Sequence, residues 1–164
     1  MATPRRLLCL TITGYKKGDL DEAEFCHHQV NKNAYVLSDL MKECGAQSYT
    51  IIHNTKKTHS LLSKLFDPAR IAFDDHDHVV QIFLPDIDSF LKIKENPLYI
   101  QHLSHLAEYT DTTNEHRKPR VSLSFVHEVI RDGQVLYVED KDTIACEVYN
   151  NSFNGETGNF MDEA

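Results

Sequence analysis

The sequence contains no apolar run approaching the roughly 20 residues that a membrane helix requires. Its cysteines (Cys9, Cys26, Cys44 and Cys146) are scattered, with no CxxC pair. That argues against a cysteine-held zinc site and a disulfide scaffold, and it fits a reducing, cytoplasmic setting. Basic residues number 17 against 25 acidic ones, a net charge of −8 with histidine neutral. They fall in isolated pairs (Lys16-Lys17, Lys56-Lys57, Arg117-Lys118), and no basic stripe interleaved with aromatics forms. Nucleic acid is therefore not an expected partner, and neither is a membrane. There is no GxxxxGK[ST], no GxGxxG after a strand, no GxSxG and no HExxH, so phosphate-loop, dinucleotide, serine-hydrolase and zincin chemistries lose their usual markers. Arg5-Arg6 precedes only a short apolar stretch. Thr11, Thr13 and Gly14 interrupt it, which makes a first strand a better reading than a secretory segment.

Periodicity supplies the positive evidence. Leu8, Leu10 and Ile12 alternate with Cys9, Thr11 and Thr13, the period of a half-buried strand. Asp21, with Glu24 three residues on, opens a long helix from Glu22 to Cys44, and Gly45 stops it. Gln47 to His53 reads as a second strand and Thr58 to Phe66 as a short helix. Val79 to Leu84 reads as a third strand, followed by helical segments from Pro85-Asp86 to Tyr109. Val121 to Ile130 is a fourth strand, and Asp132-Gly133 turns a hairpin. The order predicts an α+β, ferredoxin-like βαββαβ fold with an antiparallel sheet covered by helices on one face. Residues 1–149 are expected to form one domain, and residues 150–164 a tail or dimer arm.

A one-sided sheet leaves a face to bury. Tyr49, Ile51, Val79 and Phe83 are expected there, and pairing two such faces about a two-fold axis would close a dimeric α/β-barrel. A homodimer is therefore expected, with its site inside the barrel.

Ten histidines are many for this length. Asp75-His76-Asp77-His78 invites a metal reading, but neighbours on a strand point to opposite faces, and no metal is assigned. His28 is a better inward candidate than His27, because adjacent helical residues diverge by about 100°. His102 and His105 share a helical face, and His53 closes the second strand. Asp77 shares a strand face with Gln81, Val79 and Phe83, where a carboxylate among apolar neighbours suits acid–base work.

Several segments then resemble the EthD-domain family in order and spacing over roughly residues 5–130. They are Tyr15-Lys16-Lys17, Glu22-Ala23-Glu24-Phe25, Asn31-Lys32-Asn33-Ala34, Tyr49 to Thr55, Leu61 to Pro68, Asp77 to Phe83 and Phe90 to Pro97. The resemblance implies a dimeric α/β-barrel. It also implies, from the fungal branch, a decarboxylase or dehydratase of an aromatic polyketide-type intermediate that uses no cofactor. This chain has Asn33 where the family motif N-x-H-A-P carries histidine, and Tyr35 where it carries proline. His102 to Asp111 is similar to the family's D-H-x-x-F-A-D, with Tyr109 in place of phenylalanine. The catalytic candidates are His53, Asp77, His28 and His105; the substrate-binding candidates are Tyr49, Gln81, Asn33, Phe83 and Tyr15. A cyclase or isomerase in the same cavity, a non-catalytic aromatic-ligand-binding dimer and a metal-dependent oxygenase are the alternative readings.

Overall fold

A computed structural model describes residues 7–136 of the chain. They fall into two compact units, one of residues 8–124 and one comprising Leu7 and residues 125–136. The expected tail at 150–164 and Cys146 lie outside the described residues.

In chain order the elements begin with strand β1 (Leu7–Gly14), helix α1 (Glu22–His27) and a π-helical segment (His28–Ala34) that runs directly into α2 (Tyr35–Glu43). Strand β2 (Ser48–His53), helix α3 (Lys56–Leu65), strand β3 (His78–Leu84) and helices α4 (Ile87–Glu95) and α5 (Pro97–Ser104) follow. A 3₁₀ turn (Leu106–Glu108), strand β4 (Arg120–Val126) and the short strands β5 (Ile130–Arg131) and β6 (Gln134–Val135) complete them. The expected Asp21 cap is present, and α3 carries a cap of its own. The Asp21 carboxylate accepts from the Glu24 N–H at 2.9 Å, and Thr55 and Thr58 form a reciprocal capping box on α3. Helix α2 ends in a Schellman closure. Gly45, at φ 91°, donates to the Lys42 carbonyl, and Ala46 donates to that of Met41.

The four long strands form one sheet in the order β2-β3-β1-β4, the ferredoxin-like arrangement, with β3 antiparallel to both β1 and β2. One face carries Leu10, Ile82 and Leu84 into a core with Leu37, Leu40 and Met41 of α2, Ile93 of α4 and Tyr99 of α5. Leu37, Leu40 and Met41 are buried because i, i+3, i+4 spacing stacks them on one side of the helix.

Two expectations are corrected here. No sheet closes into a barrel: β2 and β4 are the two edges of an open four-stranded sheet, whereas a barrel wide enough to hold side chains takes about eight strands. The four residues assigned to one open face are also divided by the register. Tyr49 lies opposite Ile82 and Ile51 opposite Val80, on the core side, whereas Val79 and Phe83 pair with Thr13 and Cys9 on the other side. Strand side chains alternate, so a strand placed with the wrong parity sends every side chain to the wrong face.

In the second unit, β5 and β6 form the expected hairpin. Asp132 (φ 51°) and Gly133 (φ 75°) both adopt the left-handed backbone that a two-residue turn of this hand requires. Arg131 pairs with Glu128, and the Leu136 N–H donates to the Val129 carbonyl at 2.8 Å.

Candidate active site

The site begins with a change of helical pitch. The segment expected to be one helix from Glu22 to Cys44 opens into a π-turn at His28–Ala34. There the backbone bonds run i to i+5, which brings residues five apart to one side. His28 and Asn33 are such a pair, and both line the same cavity, with Lys32 and Val36 beside them. No glycine or proline interrupts residues 28–34. Nothing in the residue pattern therefore marks the widened turn, and the structure alone reveals it.

The opposite wall comes from α5 and the turn after it, through Leu98, Gln101, His102, His105, Glu108 and Tyr109, and the volume of this open cavity is about 300 Å³. The His28 ring lies on the Tyr109 ring, with centroids 3.5 Å apart. His28 Nδ1 is buried with no hydrogen-bond partner among the described residues. Burial, and then the Lys32 charge, hold its pKa below the usual histidine value. His102 is lowered in the same direction by burial and then by His105 and His28. At the rim, His105 Nδ1 and Glu108 Oε1 are 2.8 Å apart, and that bond lowers the Glu108 carboxyl.

Tyr109, only 4% exposed, donates its hydroxyl proton to Asn33 Oδ1 at 3.4 Å, and Asn33 Nδ2 donates to Gln29 Oε1 at 3.3 Å. Burial, and then Glu108, raise the Tyr109 pKa. Near neutral pH the cavity thus sets an uncharged imidazole, able to accept a proton, beside an uncharged phenol, able to donate one.

The remaining candidates lie elsewhere. His53 and Asp77 line a separate crevice of about 10 Å³ with Lys16 and Phe25, room for no more than a water molecule. Asp77 knits the sheet end together. Its Oδ2 accepts from the Lys16 N–H at 2.9 Å and lies 3.7 Å from Arg117 Nη2, and its backbone bonds both Gly14 and Asn54. His53 meets the Phe25 ring edge-on at 6.0 Å, and burial lowers its pKa. Tyr15 gives its proton to Asp75 at 2.6 Å beneath the Arg117 guanidinium. Tyr49 packs against the core and is pushed up to about 12 by burial. Gln81 and Phe83 share the sheet face turned away from that core. The structure therefore gathers His28, Asn33 and His105 around one cavity and separates them from His53, Asp77, Tyr15, Tyr49, Gln81 and Phe83.

Tyr109 is the residue that sequence reasoning passed over, noted only as a replacement for phenylalanine. His78 is the other. It is buried at 4% exposure under Phe25 and beside His53, with its pKa lowered to about 4 by burial and by its neighbours His53 and His76. Asp74, Asp75 and His76 bring three potential ligand atoms within 4.8 Å, but Tyr15 already bonds Asp75, and His76 bonds Asp74.

Comparison with known proteins settles the family, since the EthD domain matches residues 17–113. The chain belongs to the EthD-domain family. It is 36% identical over 135 residues to the dehydratase aurZ of Gibberella zeae, covering 81% of this chain and 86% of that one. It is 36% identical over 132 residues to the decarboxylase claH of Passalora fulva, covering 80% and 83%. A conidial pigment biosynthesis dehydratase of Metarhizium robertsii is 29% identical over 134 residues, covering 81% and 92%. This EthD chain is thus homologous to fungal decarboxylases and dehydratases. The solution structure of a hypothetical Arabidopsis thaliana protein superimposes with a TM-score of 0.51 at 8% identity, covering 80% of this chain and 97% of that one, a likeness of fold alone. Among the described residues, no helix is long and apolar enough to cross a membrane.

Proposed function

We propose that this EthD protein is a lyase, a decarboxylase or dehydratase, that acts on an aromatic polyketide-type intermediate by acid–base chemistry of its own side chains in the His28 cavity. The observation that carries this reading is His28 itself. It is a half-buried imidazole of lowered pKa in the wall of a cavity of about 300 Å³, and its Nδ1 has no hydrogen-bond partner among the described residues. That volume suits a small aromatic ligand, and the wall offers flat rings with a few polar groups to orient one. The relatives' names support the reaction class.

For decarboxylation, His28 takes the proton of the carboxylic acid. The carbon–carbon bond breaks, its electron pair staying on the substrate as an enolate or phenolate, and carbon dioxide leaves. The imidazolium then returns the proton to the carbon. For dehydration, the imidazole removes the α-proton, and the departing hydroxyl leaves as water after protonation. Lys32, at the mouth, supplies positive charge for a carboxylate or for the developing oxyanion. General acid–base help of this kind is worth about 10²–10⁴-fold.

The test is incubation with a hydroxylated anthraquinone carboxylic acid, followed by mass spectrometry. Loss of carbon dioxide identifies the decarboxylase, loss of water the dehydratase, and an unchanged compound in the presence of folded protein contradicts the reading. The sheet face away from the core, with Gln81, Phe83 and exposed Ile52, supports association with a second copy, which sedimentation equilibrium tests directly.

A further inference from the structure

Tyr109 has no part in the steps above, yet it lines the cavity, and both its ring and its hydroxyl are held in place. The ring is fixed by its stack on His28, and the hydroxyl by the Asn33 amide. That amide is itself oriented: its nitrogen donates to Gln29, so its oxygen must face Tyr109. Gln29 and Asn33 are each only 5% exposed and sit four residues apart on the same segment, a spacing that sets one above the other on one side of the helix. The Tyr109–Asn33 bond, at 3.4 Å, is long for an O–H donor, whose bonds centre near 2.7–2.8 Å. A substrate oxyanion arriving in the cavity offers a stronger, charge-assisted acceptor and would draw the donor away from Asn33.

We infer that Tyr109 is the hydrogen-bond donor to the substrate's developing oxyanion, and that Asn33 and Gln29 are positioning residues that hold its hydroxyl at the cavity wall. This rests on the cavity being the ligand site, as proposed above. It adds an electrophilic partner to the His28 base. In decarboxylation the electron pair freed by carbon dioxide is stabilised on an oxygen that accepts the Tyr109 O–H bond, and in dehydration the enolate oxygen does the same. The phenol keeps its proton throughout, so no further reactant is required.

The probe is 1,2-dihydroxyanthraquinone, whose colour reports ionisation of its own phenol, titrated against pH when bound to the full chain. In the wild type, the bound dye is expected to ionise about one pH unit lower than in Tyr109→Phe, which keeps the ring stack. Asn33→Ala is expected to give an intermediate midpoint, with dye affinity changed by less than about threefold. In turnover, Tyr109→Phe is expected to lower kcat by about 10²-fold at unchanged KM. Equal midpoints in wild type and Tyr109→Phe overturn the inference, and so does failure of the wild type to bind the dye. A Tyr109-dependent midpoint in a protein that turns over no substrate keeps Tyr109 as the donor to a bound ligand's oxyanion and removes the lyase reading alone.

Discussion

His53 and His78 face each other across β2 and β3 at the end of the sheet, and His78 Nδ1 is buried with no hydrogen-bond partner among the described residues. Two imidazoles held this close in an apolar setting, with His76 adding to the repulsion, favour the neutral form. Histidine at a strand end thus serves here as a packed, uncharged side chain beside Phe25, and the arrangement makes folding sensitive to acid.

The sign follows from linkage. The folded pKa of His78 is about 4 against an ordinary 6.5, so between those values the unfolded chain binds more protons and stability falls as pH falls. Full stability is expected above about pH 6.5, with a loss on the order of 3 kcal/mol by about pH 4. Urea titrations across that window check it. The loss should shrink in His78→Leu, and an acid limb of unchanged depth in that variant would contradict the assignment.

Gly14 lies in van der Waals contact with the same imidazole. A Cβ at this position would stand 2.7 Å from His78 Cε1, and both residues are buried, so neither side chain has room to move away. Gly14→Ala is expected to cost about 1–3 kcal/mol. The urea midpoint should recover when the substitution is combined with His78→Ala.

Asp77 is expected to be structural. Removing its carboxylate in Asp77→Ala leaves the Lys16 N–H without its acceptor and Arg117 with Asp111 as its one carboxylate partner among the described residues. The expected cost is about 1–3 kcal/mol of stability. Turnover per folded molecule should stay within about threefold of wild type, where loss of a general acid or base would cost 100-fold or more. The two readouts together separate these roles.

The His28 base predicts a pH profile. Its lowered pKa means that kcat rises with pH through a midpoint below 6.5 and levels off above it. His28→Gln should abolish that acid limb and reduce kcat by about 10²–10⁴-fold, with the circular dichroism spectrum unchanged. A limb that survives the substitution would assign it to His102, the other cavity histidine whose pKa is lowered.

Much of the scaffold is written locally in the sequence. Asp21, Gly45 and the Asp132-Gly133 turn act through bonds a few residues long, and their outcome could be read without the fold, whereas the Thr55 cap starts α3 two residues ahead of the expected Thr58. Facing was harder. Gln47 to His53 is apolar at Ile51 and Ile52 alike, so its parity depends on the pairing of β2 with β3, which places Tyr49, Ile51 and His53 on the core side. The sequence also brought His28 and Asn33 to notice separately. Their meeting across one cavity depends on a π-turn that leaves no mark in residue type, and on Tyr109 arriving from 76 positions further along the chain. Barrel closure could not be read from one chain's strand count, since it depends on where the edge strands β2 and β4 end up.

A crystal structure of the protein with a hydroxylated anthraquinone bound would test the central claim most directly. The ligand is expected in the cavity between the π-turn and α5, its ring against His28 and an oxygen within hydrogen-bond distance of the Tyr109 hydroxyl. A ligand seated instead on the opposite sheet face, against Gln81 and Phe83, would contradict the site and return the chemistry to the residues that the sequence first suggested.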